Sequence, residues 1–349
     1  MKDFLIVGNG LAGIFMSNLL IKHHKSFVVI ADNSQNSTEI AGGLYNPVVL
    51  KRFTLAWEAH IQSQNLVKDY KDLEQLLNNK FIFPLDLHRK LSSFEEQNNW
   101  TVASDKLILQ EYLNTNLVSN IYSTINAPFD FGVVKHTGFV DTKLLKFCFT
   151  NYLIKNDFFW NNTFNYNTLE IANNCFIYNQ VEFKNIIFCE GFGLKYNPFF
   201  NYLSLDGSKG ELLTIKSKTL QLNNIINSSI FVLPLGNHLY RVGATYNWSE
   251  KNSIPTFQAK QELILQLQEL INCEWEIVAH HAGVRPTVND RKPLVGEHPS
   301  IKNMYVLNGL GTRGVMLAPY LSKILLSYID NNISLPKEID IKRYQKFLK

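Results

Sequence analysis

Phe4-Leu5-Ile6-Val7 is a continuous apolar run that stops at Gly8, the pattern of a strand buried on both faces. Gly8-Asn9-Gly10-Leu11-Ala12-Gly13 follows, and apolar residues at Leu11, Phe15, Met16, Leu19 and Leu20 then recur at helical spacing. A second apolar run, Phe27 to Ala31, ends at Asp32. Strand, glycine loop, helix, strand and acid in one short unit fit a dinucleotide-binding fold. Gly8 allows the tight turn, Gly10 lets the backbone approach a pyrophosphate, and Gly13 lets the helix pack close to the strand. Leu11 and Ala12 open the helix, whose free N–H groups and positive dipole end suit phosphates. Asp32 is placed to accept hydrogen bonds from ribose hydroxyls. The competing reading is a glycine-rich turn in an unrelated parallel sheet, with Asp32 a solvated strand end.

The rest of the chain predicts a two-part molecule. Residues 55–80 read as a long amphipathic helix, and 81–135 mix short strand-like runs with polar turns. Gly138 to Asp141 reads as a turn and N-cap before a helix through Leu153. Ile186 to Cys189 is another buried strand. Leu212–Ile215, Ile230–Leu233, Leu239–Ala244 and Glu276–Ala279 suggest an antiparallel sheet, interrupted by a helix near 257–272. Met304–Leu307 is a strand, Gly309–Gly314 a glycine loop and Val315–Ile329 a helix. The predicted class is α/β, with a discontinuous Rossmann-like nucleotide-binding domain (1–80, 136–205 and 280–349). An antiparallel-sheet substrate domain (81–135 and 206–279) is inserted into it.

Composition excludes several classes. With 46% hydrophobic and 18% charged residues the 349-residue chain can bury a large core. A net charge of +4 is too mild to argue for nucleic acid. Cys148, Cys175, Cys189 and Cys273 show no zinc-like spacing, so no metal and no disulfide framework are expected, and a cytoplasmic setting follows. No apolar run reaches membrane-spanning length. Met1–Ile21 carries Asp3, Asn9 and three glycines, which argues against a secretory signal.

The choice of cofactor comes from a resemblance. Gly283-Val284-Arg285-Pro286-Thr287, Asp290 to Gly296, and Gly309-Leu310-Gly311-Thr312-Arg313-Gly314 resemble the D-amino-acid oxidase/glycine oxidase family of FAD enzymes. Ala41-Gly42-Gly43-Leu44-Tyr45-Asn46-Pro47 looks like that family's loop beside the flavin, and Cys189-Glu190-Gly191-Phe192-Gly193 like its second glycine turn. Phe231 to Leu235 and Val242 to Thr245 look like its substrate-domain strands. The pieces keep family order from residue 4 to about 330. The nearest flavours are glycine oxidase and the oxidase part of the bifunctional enzyme that trims carboxymethylaminomethyl-uridine in tRNA.

The resemblance implies oxidation of a C–N bond in an amino acid or secondary amine. Hydride passes to flavin N5, the imine hydrolyses, and oxygen reoxidises the flavin. A dehydrogenase feeding a quinone or carrier is the second reading, and a flavin-binding protein without turnover the third. The flavin is expected to be noncovalent, because no cysteine occurs after Cys273. Expected cofactor contacts are Gly8, Gly10, Leu11, Ala12, Gly13, Asp32, Gly42, Gly43, Leu44, Gly191, Gly309, Gly311, Thr312, Arg313, Gly314, Val315 and Met316. Arg285 is the expected partner of a substrate carboxylate, since a guanidinium fork matches that geometry; an internal salt bridge is the alternative. Arg313 is placed near the flavin pyrimidine edge, in the substrate pocket or in solvent.

Phe231 departs from the family, which often has a tyrosine there. Phenylalanine cannot donate a hydrogen bond. Tyr246 or Tyr240 could supply one, and the departure leaves room for a bulkier secondary amine. Of His280 and His281, adjacent strand residues, at most one faces a pocket; His281 joins the candidate catalytic set. Expected partners are a small-molecule amine and oxygen or another acceptor. A tRNA-borne substrate, and the choice between monomer and homo-oligomer, stay open.

Overall fold

The computed structural model describes residues 1–32, 34–173 and 175–347. Lys2–Val7 sits at the centre of an eight-stranded sheet, with parallel neighbours Phe27–Ile30 and Val181–Phe188. Phe159–Trp160 extends the parallel set beyond Phe27–Ile30, and Met304–Asn308 extends it beyond Val181–Phe188. Four of these strands end at Val7, Ile30, Phe188 and Asn308, so the loops that follow them gather at one edge of the sheet. In parallel sheets that edge is where ligands bind.

The central strands are apolar throughout because both faces are covered. Helices Leu11–Lys22, Ala59–Leu77, Thr142–Lys155 and Gly314–Asn331 pack one face around Ile6, Phe15, Tyr70, Phe149 and Leu321. An aromatic-rich layer including Phe164, Phe176, Phe183, Phe188 and Phe200 covers the other. Asp141 caps the third of these helices by accepting from the Leu144 N–H at 3.0 Å.

A separate seven-stranded sheet runs in the order Glu276–Arg285, Ser208–Lys216, Leu239–Gly243, Phe231–Gly236, Ile225–Asn227, Leu87–Lys90 and Phe131–Val134. It is antiparallel except where Ile225–Asn227 meets Leu87–Lys90. Helix Phe257–Leu270 packs on it through Leu263 and Leu267. The fold is therefore α/β, a largely parallel sheet beside a largely antiparallel one.

Three local differences from the sequence pattern have physical causes. Phe94–Ser104 is a helix inside the stretch expected to hold strands and turns. Ser93 caps it, but only Trp100, Ala103 and Ser104 are buried, so little apolar periodicity is written into it. Gly138–Val140, expected as a turn, is a strand paired with Leu44–Tyr45 and Ile82–Pro84. The Glu276 strand continues to Arg285, because Ser208–Lys216 pairs with it along its whole length. Among the described residues no helix is long and apolar enough to cross a membrane, and no three His, Cys, Asp or Glu side chains gather as a metal site would need.

Candidate active site

The strand-end loops enclose a cavity of about 690 Å³ that reaches from the parallel sheet to the antiparallel one. The first and last glycine loops meet in its wall: a Cβ on Gly314 would lie 3.2 Å from Leu11 Cδ1. Behind them the Tyr70 hydroxyl donates to the Val315 carbonyl at 3.0 Å.

The three glycines of the first loop do different work. Gly8 has φ +106°, and a Cβ there would fall 2.4 Å from the Cys189 carbonyl oxygen. At Gly13 a Cβ would fall 2.0 Å from the Gly8 carbonyl oxygen. Both are required by the chain's own packing. A Cβ on Gly10 meets only Thr38 Oγ1, at 3.2 Å, so what that bare backbone faces is the cavity. The helix that starts at Leu11 has a glycine, Gly10, as its N-cap, and only Thr38 Oγ1 reaches its start, accepting from the Leu11 N–H at 3.3 Å. Asn9 donates to Thr150 Oγ1 at 2.7 Å, yet its buried Oδ1 has no partner. A helix start at the cavity wall, an uncovered glycine and an orphaned amide oxygen fit a phosphate-bearing dinucleotide.

At the sheet end, Asp32 is preset. Its Oδ1 accepts from the Ser34 hydroxyl at 2.5 Å and the Ser34 N–H at 3.0 Å, and its Oδ2 from Thr163 Oγ1 at 2.8 Å. Burial pushes this carboxyl up, but the hydrogen bonds outweigh it and hold it below the usual carboxylate range. Glu190 is the opposite case. It accepts from Tyr166 and, at 2.7 Å, from Asn197, and burial pushes it up to about 7. Lys146 also lines the cavity, its ammonium 2.6 Å from Glu39 Oε1.

At the other end Arg285 lies flat over Gly210, where a Cβ would fall 1.9 Å from Arg285 Nη2. Both terminal nitrogens donate to the Thr245 carbonyl at 3.2 Å, and Nη1 also to the Lys209 carbonyl at 3.4 Å. The Tyr246 ring stacks 4.4 Å from the guanidinium carbon. Arg313 donates to the Asn46 carbonyl at 2.7 Å. Among the described residues neither arginine has a carboxylate partner within 4 Å. Burial lowers both guanidinium pKa values, and Tyr246 opposes that shift in each. Two cations held only by carbonyls suit an anion in the cavity.

Most of the residues singled out in the sequence come together here. Gly8, Gly10, Leu11, Ala12, Asp32, Gly42, Gly43, Leu44, Gly191, Gly311, Thr312, Arg313, Gly314, Val315 and Met316 line the cavity, as do Arg285, Phe231 and Tyr246. Gly13, Gly309 and His281 are not in its wall. Gly13 and Gly309 pack against the chain itself, a Gly309 Cβ falling 2.7 Å from Val288 Cγ2. His281 is exposed, and its neighbour His280 pairs with Glu211 at 2.8 Å. Tyr240 is buried in the core of the antiparallel sheet. Thr38, Lys146, Thr163 and Tyr166 are cavity residues that the sequence reading missed, and Glu190 entered it only as part of the second glycine turn. None carries a spacing signal; only the fold brings Thr163 to Asp32 across 131 positions.

Comparison with known proteins agrees with this geometry. The family described as DAO, FAD dependent oxidoreductase, matches residues 164–327. The bifunctional tRNA 5-methylaminomethyl-2-thiouridine biosynthesis protein MnmC of Idiomarina loihiensis is 24% identical over 140 residues, 38% of this chain and 23% of that protein. Glycine oxidase of Bacillus subtilis is 25% identical over 147 residues, 40% of each chain. These alignments thus span less than half the length of either relative. The crystal structure of glycine oxidase from Bacillus cereus superposes with a TM-score of 0.78 at 18% identity, covering 96% of both chains. The chain is thus similar, over residues 164–327, to the DAO family of FAD-dependent oxidoreductases, and its fold is that of glycine oxidase.

Proposed function

We propose that this protein oxidises a carboxylate-bearing amine, an amino acid or a secondary amine, with noncovalently bound FAD and with oxygen as the acceptor. The observation that carries the reading is Arg285, a guanidinium at the cavity wall whose partners are main-chain carbonyls and an aromatic face. When bound, the flavin supplies the redox chemistry, taking hydride from the carbon that bears nitrogen and returning the electrons to oxygen.

The protein's contribution is binding, orientation and charge. Gly8, Gly10 and the start of the first helix would hold the pyrophosphate, and Asp32 the ribose. Gly42 to Leu44 and Gly311 to Met316 would bracket the ring system. Arg285 would fork the substrate carboxylate and so fix which C–H faces the ring. Arg313, tethered to Asn46, would add positive charge at the same end. Phe231 and Leu212 would exclude water from it. Asp32 and Glu190 are the only acidic side chains among the described lining residues, and both sit at the parallel-sheet end. With no base beside Arg285, the amine must arrive neutral, so kcat/KM should rise with pH until the substrate amine is deprotonated. On this reading segments 1–80, 136–205 and 280–349 form the cofactor half and 81–135 with 206–279 the substrate half, strand Glu276–Arg285 crossing the boundary.

An anaerobic screen of amino acids and N-substituted glycines against flavin absorbance tests the reading. Bleaching by a carboxylate-bearing amine is the expected result, with one peroxide per turnover once air is admitted. Turnover with an artificial acceptor but no peroxide would instead favour a dehydrogenase. Protein that never takes up FAD would end the proposal.

A further inference from the structure

Behind Arg285, on the opposite face of strand Ser208–Lys216, lies a buried ion cluster that no step above uses. Lys209 is 1% exposed. Its ammonium lies 2.6 Å from Glu250 Oε2, 3.0 Å from Asn252 Oδ1 and 3.5 Å from Glu211 Oε1. Glu211, also buried, accepts from the Thr256 N–H and hydroxyl at 2.9 Å each and pairs with His280. A buried charge is costly unless paired, so these contacts decide how the 247–256 segment sits on the strand.

That segment belongs to the same piece of chain as the wall of the substrate end. The Lys209 N–H donates to the Asn247 carbonyl at 2.8 Å, and the Asn247 N–H donates back to the Lys209 carbonyl at 2.9 Å. The Glu211 N–H donates to Thr245 Oγ1 at 3.0 Å. Between these ties lie the Thr245 carbonyl that both Arg285 nitrogens use and the Tyr246 ring that covers them. The Asn247 side chain then accepts from the Ser249 and Glu250 N–H groups, which aims Glu250 back at Lys209. One cation therefore faces away from the cavity and still fixes the acceptors that orient the other cation inside it.

We infer that Lys209 is a positioning residue for the substrate end: its ammonium pins the Tyr246–Asn252 turn through Glu250 and Asn252 and so sets the direction of the Arg285 fork. The inference rests on the reading of Arg285 as the carboxylate partner.

The test uses FAD-loaded protein, with acetate as a simple carboxylate probe followed by its perturbation of flavin absorbance. Lys209→Met should raise the acetate dissociation constant on the order of tenfold while FAD content stays at the wild-type level. Lys209→Arg should recover most of the loss, and trypsin should cut after Lys251 faster in the Met variant only. If Lys209→Met does not fold, Glu250→Gln carries the test, since Glu250 is half-exposed; a rise of about threefold is expected from weakening one partner of the pair. A folded variant that binds acetate as tightly as wild type overturns the inference, as does an arginine that restores nothing. Arg285→Met is the control. Loss of the acetate response there but not in Lys209→Met overturns the lysine's role alone, and indifference in both overturns the reading of Arg285 with it.

Discussion

At the end of the cavity proposed for the dinucleotide, glycines bring main-chain N–H groups and a helix start to the surface, and the work would be done where a side chain is missing. At the end proposed for the substrate, Arg285, Arg313, Tyr246 and Phe231 reach in from loops and strands, and the work would be done by what each side chain carries. The first kind of site tolerates little substitution: a Cβ meets backbone at Gly8 and Gly13, Gly311 holds a positive φ, and at Gly10 a Cβ would face the proposed ligand. On the proposed reading the second could be retuned residue by residue, at Phe231 for one, with the cofactor kept and the amine changed.

The sharpest way to break that contrast is to add one methyl group at each of two glycines. Gly13→Ala places a Cβ 2.0 Å from the Gly8 carbonyl oxygen, a backbone clash expected to cost about 3 kcal/mol or more. Soluble protein should be scarce and Tm lowered with or without FAD. Gly10→Ala meets only Thr38 Oγ1 at 3.2 Å, so the apoprotein should melt near wild type. FAD titrated by fluorescence quenching should nonetheless bind about 100-fold more weakly, as main-chain contacts to phosphate are lost. Equal damage in both would mean that Gly10 serves packing and not a ligand.

Arg285→Met tests the other end. Losing two charge-assisted hydrogen bonds should weaken acetate, or the KM of a carboxylate-bearing amine, by about 100-fold. FAD content should not change, since no dinucleotide contact is involved. Joint loss of flavin and substrate binding would erase the distinction between the two ends.

The same contrast explains what could be read in advance. A missing Cβ is written in the sequence, so Gly8 and Gly10 were legible from the strand-loop-helix order around them, which also pointed to the parallel sheet, while Gly42, Gly43 and Gly311 were legible through the resemblance. Asp32 was legible because it ends a strand. Thr163 and Tyr166 were not, because ordinary polar residues become cavity residues only when Phe159–Trp160 docks beside Phe27–Ile30; Glu190 entered only as part of the second glycine turn. Arg285 was legible only through the motif around it; the carbonyls that hold it come from Lys209 and Thr245, which no periodicity connects. The exposed position of His281 follows from the strand continuing past it toward Arg285, with Ala282 and Gly283 buried beyond. Alternation alone did not say which face is covered.

Glu190 offers a smaller effect at the dinucleotide end. Its carboxyl is raised to about 7 by burial, against about 4.3 when unfolded. The native state therefore holds the extra proton between those values, and stability falls as pH rises through that window. Glu190→Gln should remove this slope. The Tm difference between variant and wild type should grow in the variant's favour from pH 5 to pH 7 and level off above. A difference flat across that range would mean that Glu190 titrates normally.

The smallest change is expected where the chain departs most visibly from the family it resembles. Phe231→Tyr restores a hydroxyl, but the ring tip already points at the flavin loop: Phe231 Cζ lies 2.8 Å from where a Gly42 Cβ would sit and 3.3 Å from a Gly243 Cβ. An oxygen on that carbon heads toward the Gly42 backbone, so acetate affinity should stay within about twofold, well under the worth of one hydrogen bond to a charged group. Tightening of tenfold or more would show that the hydroxyl reaches the carboxylate. Phe231 would then be a deleted donor, and the substrate end could be returned to a small amino acid by one atom.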